Sequence, residues 1–306
     1  MCDPLPLTGE RTVPGIPEEN YWFRRHEVVY EALPSWLPPQ TSLVLDAGCG
    51  EGYGVALTAS LVDGARVVGL DYDALTAAHA AAAHAGARTG FVRGLLTALP
   101  LPDAAVDAAV SLQVVEHIWT PGEYVAELLR VLRPGGRLVV STPNRITFSA
   151  GLGRRERPTN PFHCREYDAA ELAEELARWG GADVSDVTVL GLRHGERLAA
   201  WEAEHGPLVD AQLQADPATW PEHLRALVES FAGEQQIRVP FKNDQSDPLV
   251  DDAVRVVHHA LQQRLGLVER LDVDQCPRKR IARTKRVAGV RTINFHPDIE
   301  PAPERR

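Results

Sequence analysis

The sequence predicts an α/β fold: a doubly wound, mostly parallel sheet with a helical cap before it and a helical extension after it. Three observations carry that expectation. The stretch SLVLDAGCGEGYG, Ser42 to Gly54, passes from three apolar residues (Leu43, Val44, Leu45) into a cluster of glycines and then into the helix pattern VALTASLV. That is the strand, tight turn and helix that open a nucleotide-binding α/β unit. Further apolar strand segments alternate with helix patterns, and this order implies a parallel sheet covered on both faces. At 306 residues the chain is long enough to bury a full core around one such sheet.

Ahead of the first strand, IPEENYWFRRHEVVY places Tyr21, Trp22, Arg25, Val28, Val29 and Leu33 on one helical stripe, in a chain only 6% aromatic. Part of that stripe must be core. A Trp beside Arg and His also suits stacking on a sugar face, so Tyr21, Trp22 and Arg25 are candidate acceptor contacts. After the glycine turn come the strand ARVVGLDYD and the Ala-rich ALTAAHAAAAHAGA, which has high helix propensity. VDAAVSLQ, Val106 to Gln113, is the fourth strand; PGEYVAELLRVLRPGG is a helix closed by Pro-Gly-Gly, and RLVVSTPN is the fifth strand. YDAAELAEELARWGG carries Asp168 and Glu171 at capping-box spacing, an apolar face of Leu172, Leu176 and Trp179, and a Gly180-Gly181 stop. DVSDVTVLG is the sixth strand.

From about Glu196 the pattern loosens. WPEHLRALVESF reads as a helix with Pro221 in its first turn and Leu224, Leu227, Val228 and Phe231 facing inward. PLVDDAVRVVHHALQQRLG reads as another, with Val250, Val254, Val257, Leu261 and Leu265 in register. The expected organisation is a cap over residues 1–34, a core over 35–200, a helical extension over 201–275 and an unpacked basic, then Pro-rich, tail over 276–306.

Lys+Arg 32 against Asp+Glu 42 gives a formal charge of -10, which argues against a surface built to neutralise phosphates, and so against a nucleic-acid partner. No apolar run reaches the length of a membrane span, and the first residues lack a basic start followed by an apolar stretch, so a cytoplasmic protein is expected. Cys2, Cys49, Cys164 and Cys276 are scattered, which fits reduced thiols rather than a disulfide frame or a zinc site. His79 and His84, five apart on a helix, do not share a face, and no metal site is expected.

The glycine turn separates two cofactor classes. Its glycines stand at 48, 50, 52 and 54, and Tyr53 occupies the place where the dinucleotide fingerprint G-x-G-x-x-G wants its third glycine. Asp46, at the end of the first strand, would repel a pyrophosphate but attract the ammonium and sulfonium of S-adenosylmethionine. Asp71, ending the next strand, is spaced to accept ribose hydroxyls.

On VLDAGCGEGYG, GLDYD, LPLPDAAVDAAVSLQVVEHI and LRPGGRLVVSTPN, the chain resembles the class I S-adenosylmethionine-dependent methyltransferases of the type 11 group, over residues 42 to about 192. The resemblance implies a Rossmann-like sheet with Asp46, Gly48, Gly50 and Gly52 on the methionine part, Asp71 on the ribose, Tyr72 on a face of the adenine and Gln113 lining the same pocket. Leu95 and Leu96 stand where the group usually places an acid or amide near the adenine amine, which leaves base recognition to backbone groups. Cys49 takes the group's small-residue place.

If the acceptor is an alcohol, its proton must leave, so a base near the methyl is expected. His117, following Glu116 after the fourth strand, is the first candidate. His163, Arg165 and Glu166 on the loop NPFHCRE, with Asn144 and Arg145 at the carboxyl end of the fifth strand, stand on the same side. Either set has a plainer role open to it, that of fixing the loops. The wider segments LTGERTVPGIPEENYWFRRHEVVY, STPNRITFS and NPFHCREYDAAEL are similar to actinobacterial methyltransferases associated with polymethylated glucose lipopolysaccharide, which implies O-methylation of a sugar or oligosaccharide. Relatives close the sheet with a last antiparallel strand, for which IRVPF is a poor candidate. A small-molecule natural-product methyltransferase is the alternative. A nucleic-acid methyltransferase or an idle binding protein is weaker, since QVVEHI replaces the Asn/Asp-Pro-Pro-aromatic loop of adenine-amine enzymes and the glycine turn is intact.

Overall fold

Seven strands form one sheet in the order β3-β2-β1-β4-β5-β7-β6. They are β1 Leu43–Ala47, β2 Arg66–Asp71, β3 Thr89–Arg93, β4 Val106–Leu112, β5 Leu132–Pro143, β6 Val184–Leu192 and β7 Asp252–His259. The structure, a computed structural model, describes residues 12, 16–192, 194, 196–213, 217–230 and 252–259. These lie within one unit, Met1–Gln262; the second unit, Gln263–Arg306, lies outside the described residues, as does the tail expected over 276–306.

The first five strands pair in parallel, with Leu45 of β1 beside Val68 of β2 and Ala109 of β4. The helices linking them cover both faces. Along β1 the pleat sends Val44 and Leu45 to opposite sides, and each joins a different core. On one face Leu45, Leu70, Leu138 and Val140 pack with Tyr124 and Leu128 of α4 (Pro121–Val131) and Leu172 and Leu176 of α6 (Ala169–Gly180). On the other, Val44, Val67, Val110 and Val139 pack with Val29, Tyr30 and Leu33 of α1 (Asn20–Trp36) and Val55 and Ala59 of α2 (Tyr53–Leu61). Each such fully buried side chain contributes about 1.5–3 kcal/mol.

A third core joins Tyr21 and Val28 of α1 to α7 (Glu196–His205), α8 (Leu208–Leu213) and α9 (Glu222–Ser230), through Leu198, Leu208, Leu224, Leu227 and Val228. Two helix starts are capped as their sequences suggest. Asp73 accepts from the Thr76 amide (2.8 Å) at α3 (Ala74–His84), and Asp168 accepts from the Glu171 amide (2.8 Å) at α6. The Glu171 side chain does not complete the capping box; it turns to Arg165 and Arg145. β3, which the sequence reading leaves without a segment of its own, is a half-exposed strand containing Gly90.

The segment read as a helix around Val254 and Val257 is β7, which lies antiparallel between β5 and β6. Its valines fit either period, and the two flanking strands decide between them. Arg137 to Pro143 on one side and Val184 to Leu192 on the other offer a slot that only an extended chain fills. The extension after residue 201 is therefore helical only through α9 among the described residues. IRVPF, the poor candidate for the closing strand, lies outside them.

Candidate active site

The site is built at the carboxyl ends of β1, β2, β4 and β5, where open parallel sheets bind ligands. Asp46, the last residue but one of β1, is buried. The Tyr30 hydroxyl of α1 donates to Asp46 Oδ2 at 3.0 Å, and Oδ1 is buried with no hydrogen-bond partner among the described residues. Burial pushes the Asp46 carboxyl up to about 7; the Tyr30 hydrogen bond opposes the shift, and the charge of Asp71 adds to it. A buried acceptor of this kind calls for a cationic donor, and the ammonium of S-adenosylmethionine meets that need.

The turn that follows is glycine for steric reasons. Gly48 has φ +86°, and a Cβ there would stand 2.6 Å from Val114 Cγ2; at Gly52, also φ +86°, it would stand 2.8 Å from Ala80 Cβ. The Gly48 and Cys49 amides are held on the Leu70 carbonyl at 2.8 and 3.0 Å. Burial pushes the Cys49 thiol far up, which leaves it a packing residue. Asp71 accepts from the Gly50 amide (3.1 Å) and the Asp73 amide (2.9 Å), so the expected ribose acid also fixes the turn. Tyr72 is 70% exposed beside it, open to stack on a base. Leu95 is exposed on the same rim. Gln113 ends β4 with φ +55°, a conformation few side chains adopt, and is held by its amide on the Ser141 carbonyl and its side chain on Ser141 Oγ, both at 3.0 Å. Asp46, Gly48, Gly50, Gly52, Asp71, Tyr72 and Gln113 thus gather at the ends of β1, β2 and β4, and they fit the cofactor.

On the acceptor side, a short turn after β4 carries Glu116 and His117. Glu116 is 1% exposed; Oε2 accepts from Thr142 Oγ1 at 3.0 Å, and its carbonyl accepts from the Cys164 amide at 2.7 Å. His117 Nδ1 lies 3.1 Å from the Phe162 carbonyl, which can only accept, so this nitrogen carries a proton and Nε2 is the basic atom of the neutral ring. His163 meets the His117 ring edge to face, with centroids 5.0 Å apart, and its Nδ1 lies 2.7 Å from Glu166 Oε1. Burial alone would raise the Glu166 carboxyl, but the His163 hydrogen bond and its neighbours outweigh it and hold the group below its ordinary value. Asn160 Nδ2 stands 3.1 Å from His163 Nε2.

The remaining candidates are held elsewhere. Asn144 is buried and caps α5 (Arg145–Phe148), accepting from the Ile146 amide at 3.2 Å. The buried Arg145 binds Asp168 Oδ2 (2.6 Å) and the Leu152 carbonyl. Arg165 turns to Glu171 and Glu175, with its guanidinium 4.8 Å from the Tyr167 ring centroid. Tyr21 has no exposed surface and its hydroxyl lies 2.6 Å from His194 Nε2, because the stripe's first aromatic faces the third core. Arg25 is buried under the rings of Trp22 (5.3 Å) and Phe148 (4.6 Å). Only Trp22 of the three α1 candidates keeps an accessible face.

Several participants escaped the sequence. His79 Nε2 lies 2.9 Å from Glu51 Oε2 and ties α3 to the glycine turn. Tyr30, off the stripe read from the sequence, gave no signal. Trp119, 85% exposed, and Phe162, 53% exposed, are the exposed aromatics nearest in the chain to His117 and His163, and that adjacency was their sole clue.

Residues 45–140 match the methyltransferase domain family. The chain is 53% identical over 226 residues, covering 72% of itself and 83% of the relative, to a probable S-adenosylmethionine-dependent methyltransferase of Mycolicibacterium smegmatis. It is 47% identical over 225 residues, 72% and 78% of the two chains, to a protein described in the same words from Mycobacterium tuberculosis. Its fold is similar to that of a possible histamine N-methyltransferase from Thermotoga maritima, with TM-score 0.51, 17% identity and coverage of 79% and 95%. No helix among the described residues is long and apolar enough to cross a membrane. With a sheet of this order, a glycine turn closed by Asp46 and Asp71, and these relatives, the chain belongs to the class I S-adenosylmethionine-dependent methyltransferases, with S-adenosylmethionine as its cofactor.

Proposed function

We propose that the chain transfers the methyl group to a hydroxyl of a sugar or oligosaccharide. The observation that carries this reading is the pair His117 and His163 beside the buried Glu116, a proton-handling cluster at the strand ends next to the cofactor turn. When bound, the cofactor supplies a methyl on a sulfonium: the acceptor oxygen forms the new C–O bond as the C–S bond breaks with its electron pair going to sulfur, and the hydroxyl proton must be taken up. A neutral amine attacks through its own lone pair, whereas an alcohol must give up its proton as it attacks. The cluster accounts for that proton. Asp46 anchors the ammonium, Asp71 faces the ribose and Gln113 closes the pocket from β4.

Trp119 and Phe162 support a saccharide acceptor, because flat exposed rings next in the chain to His117 and His163 suit the C–H face of a pyranose. Trp22 adds a third ring from α1. The formal charge of -10 disfavours a phosphate-rich acceptor.

The test uses methyl-labelled S-adenosylmethionine with an extract of the source organism, separated into carbohydrate, lipid, protein and nucleic-acid fractions. Label in carbohydrate that disappears with His117→Ala is the expected result. Label in small aromatic or amine products would transfer the site to a natural-product methyltransferase and end the saccharide reading.

A further inference from the structure

We infer that Glu116, His117 and His163 form a binding site for a divalent cation that holds and ionises the acceptor hydroxyl. The catalytic part of this inference rests on the saccharide reading; the cation site itself does not.

One ligating atom from each of the three residues lies within 4.8 Å of the others. A first-row cation takes imidazole nitrogen and carboxylate oxygen at about 2.0–2.2 Å, so two ligands on one ion span at most about 4.3 Å. The cluster therefore closes on an ion with side-chain shifts well under the reach of a rotamer change. Glu116 Oε1 and His117 Nε2 already stand 4.0 Å apart, too far for a hydrogen bond and within that span.

The surroundings fit ligands better than an isolated base. Both imidazoles are backed at Nδ1, His117 by the Phe162 carbonyl and His163 by the Glu166 carboxylate, as metal-bound histidines require, and an ion on His163 Nε2 takes the place of the Asn160 amide that stands 3.1 Å from it. Thr142 orients the Glu116 carboxylate from its other oxygen. The carbonyl of Glu116 accepts from the Cys164 amide at 2.7 Å, and Cys164 Sγ lies 3.2 Å from the His117 carbonyl, so the two loops that bring the ligands are laced together. Two imidazoles and one carboxylate leave coordination positions open, and neighbouring hydroxyls of a sugar are hard oxygen donors that can fill two of them. The mixed ligand set suits cations from Mn²⁺ to Zn²⁺.

The consequence for the reaction is a change in how the proton leaves. A hydroxyl whose oxygen sits on the cation gives its proton to solvent water, and the resulting oxygen attacks the methyl carbon as the C–S bond pair passes to sulfur. The imidazole lone pairs are then spent on the cation. Amines gain nothing from this arrangement, which makes the cluster a selector for polyhydroxy acceptors.

The experiment measures cation binding directly, without an acceptor. Full-length protein stripped with EDTA is dialysed against Mn²⁺, and free ion is followed by its paramagnetic resonance signal. One Mn²⁺ per chain is expected, with at least tenfold weaker binding in His117→Ala, in His163→Ala and in Glu116→Gln. His205→Ala removes a histidine stacked on Trp201 and His223 on the helical extension, and should bind as the parent does. Cofactor binding retained by the three site variants shows that they fold. No bound Mn²⁺ at millimolar concentration, undiminished binding in both site histidine variants, or loss in His205→Ala would overturn the site and leave the cluster a hydrogen-bond network. Mn²⁺ bound while no label reaches carbohydrate would keep the site and remove the saccharide reading; label that reaches carbohydrate undiminished by EDTA would keep that reading and remove the cation's part in the reaction.

Discussion

Tyr30 of α1 donates its hydroxyl to Asp46 Oδ2 at 3.0 Å, while its ring occupies the space that a Cβ on Gly54 would need, 2.1 Å from Cζ. One side chain from outside the sheet thus sets the carboxylate and holds the first turn of α2. Asp46 Oδ1 is buried with no hydrogen-bond partner among the described residues, and the proposed function puts the cofactor's ammonium there. The pH dependence of binding follows from that arrangement.

In the folded chain Asp46 keeps its proton to about pH 7, whereas the ordinary group releases it near 3.8. Its folded value is raised, so the free protein loses stability as pH climbs from about 4 to about 7, because the unfolded chain has already shed the proton. The cofactor binds the carboxylate form, and its affinity should rise up to about tenfold per pH unit toward 7 and level off above. Asp46→Asn should flatten that profile and weaken binding at pH 8 by about 10- to 100-fold, the worth of one charged hydrogen bond. Titration calorimetry between pH 5.5 and 8 measures both; an unchanged slope in the variant refutes the assignment.

Gly48 and Gly50 make a controlled comparison. Both have positive φ, +86° and +50°, but only at Gly48 would a Cβ strike a neighbour, Val114 Cγ2 at 2.6 Å. Gly50→Ala carries backbone strain alone, about 1–2 kcal/mol. Gly48→Ala adds a clash beneath the turn and should lower the melting temperature by several degrees more, with a larger loss of cofactor affinity. Equal melting temperatures would mean that Val114 yields freely.

Arg145→Gln should destabilise the fold by about 1.5–3 kcal/mol, since it removes the 2.6 Å charged hydrogen bond to the buried Asp168, while Glu171 keeps Arg165. Pairing it with Asp168→Asn should recover part of the loss. Urea unfolding of the single and double variants checks this, and additive losses would deny the coupling.

His26 packs on Tyr53, its Nδ1 2.8 Å from the hydroxyl, with Thr12 Oγ1 3.1 Å from the same oxygen. Burial, helped by the charge of Arg25, holds the imidazole well below its ordinary value. The folded chain keeps His26 neutral where the unfolded chain takes a proton, so this contribution is full above about pH 6.5 and is lost as pH falls. Thermal melts of His26→Gln should show a shallower acid decline, by up to about 1.4 kcal/mol per pH unit. A parent-like decline would place the acid sensitivity elsewhere.

Whatever is local in chain and chemistry was legible before any coordinates. Asp46, the glycines and Asp71 lie within one strand-turn-helix unit and its neighbour, and residue type alone indicates a phosphate-free, cationic cofactor. What depends on a distant partner was not. Val254 and Val257 satisfy a helical period, and only β5 and β6, far back in the chain, turn them into a strand. Periodicity puts Tyr21 and Trp22 on one stripe but cannot say which end meets the third core. Arg165 reads as an acceptor contact because the acids that claim it, Glu171 and Glu175, sit on a later helix, α6. Glu51 and His79 illustrate the same limit, a contact between a turn and a helix with no shared pattern.

Among the described residues β7 is the last strand in the chain yet interior in the sheet. During synthesis the facing borders of β5 and β6 therefore wait without their partner until residues 252–259 have left the ribosome. A message cut short between Leu192 and Asp252 would yield chains with two open borders, each a template for a neighbour's strand. The timing of translation, and the chaperones that shield nascent chains, thus become part of how this enzyme is made.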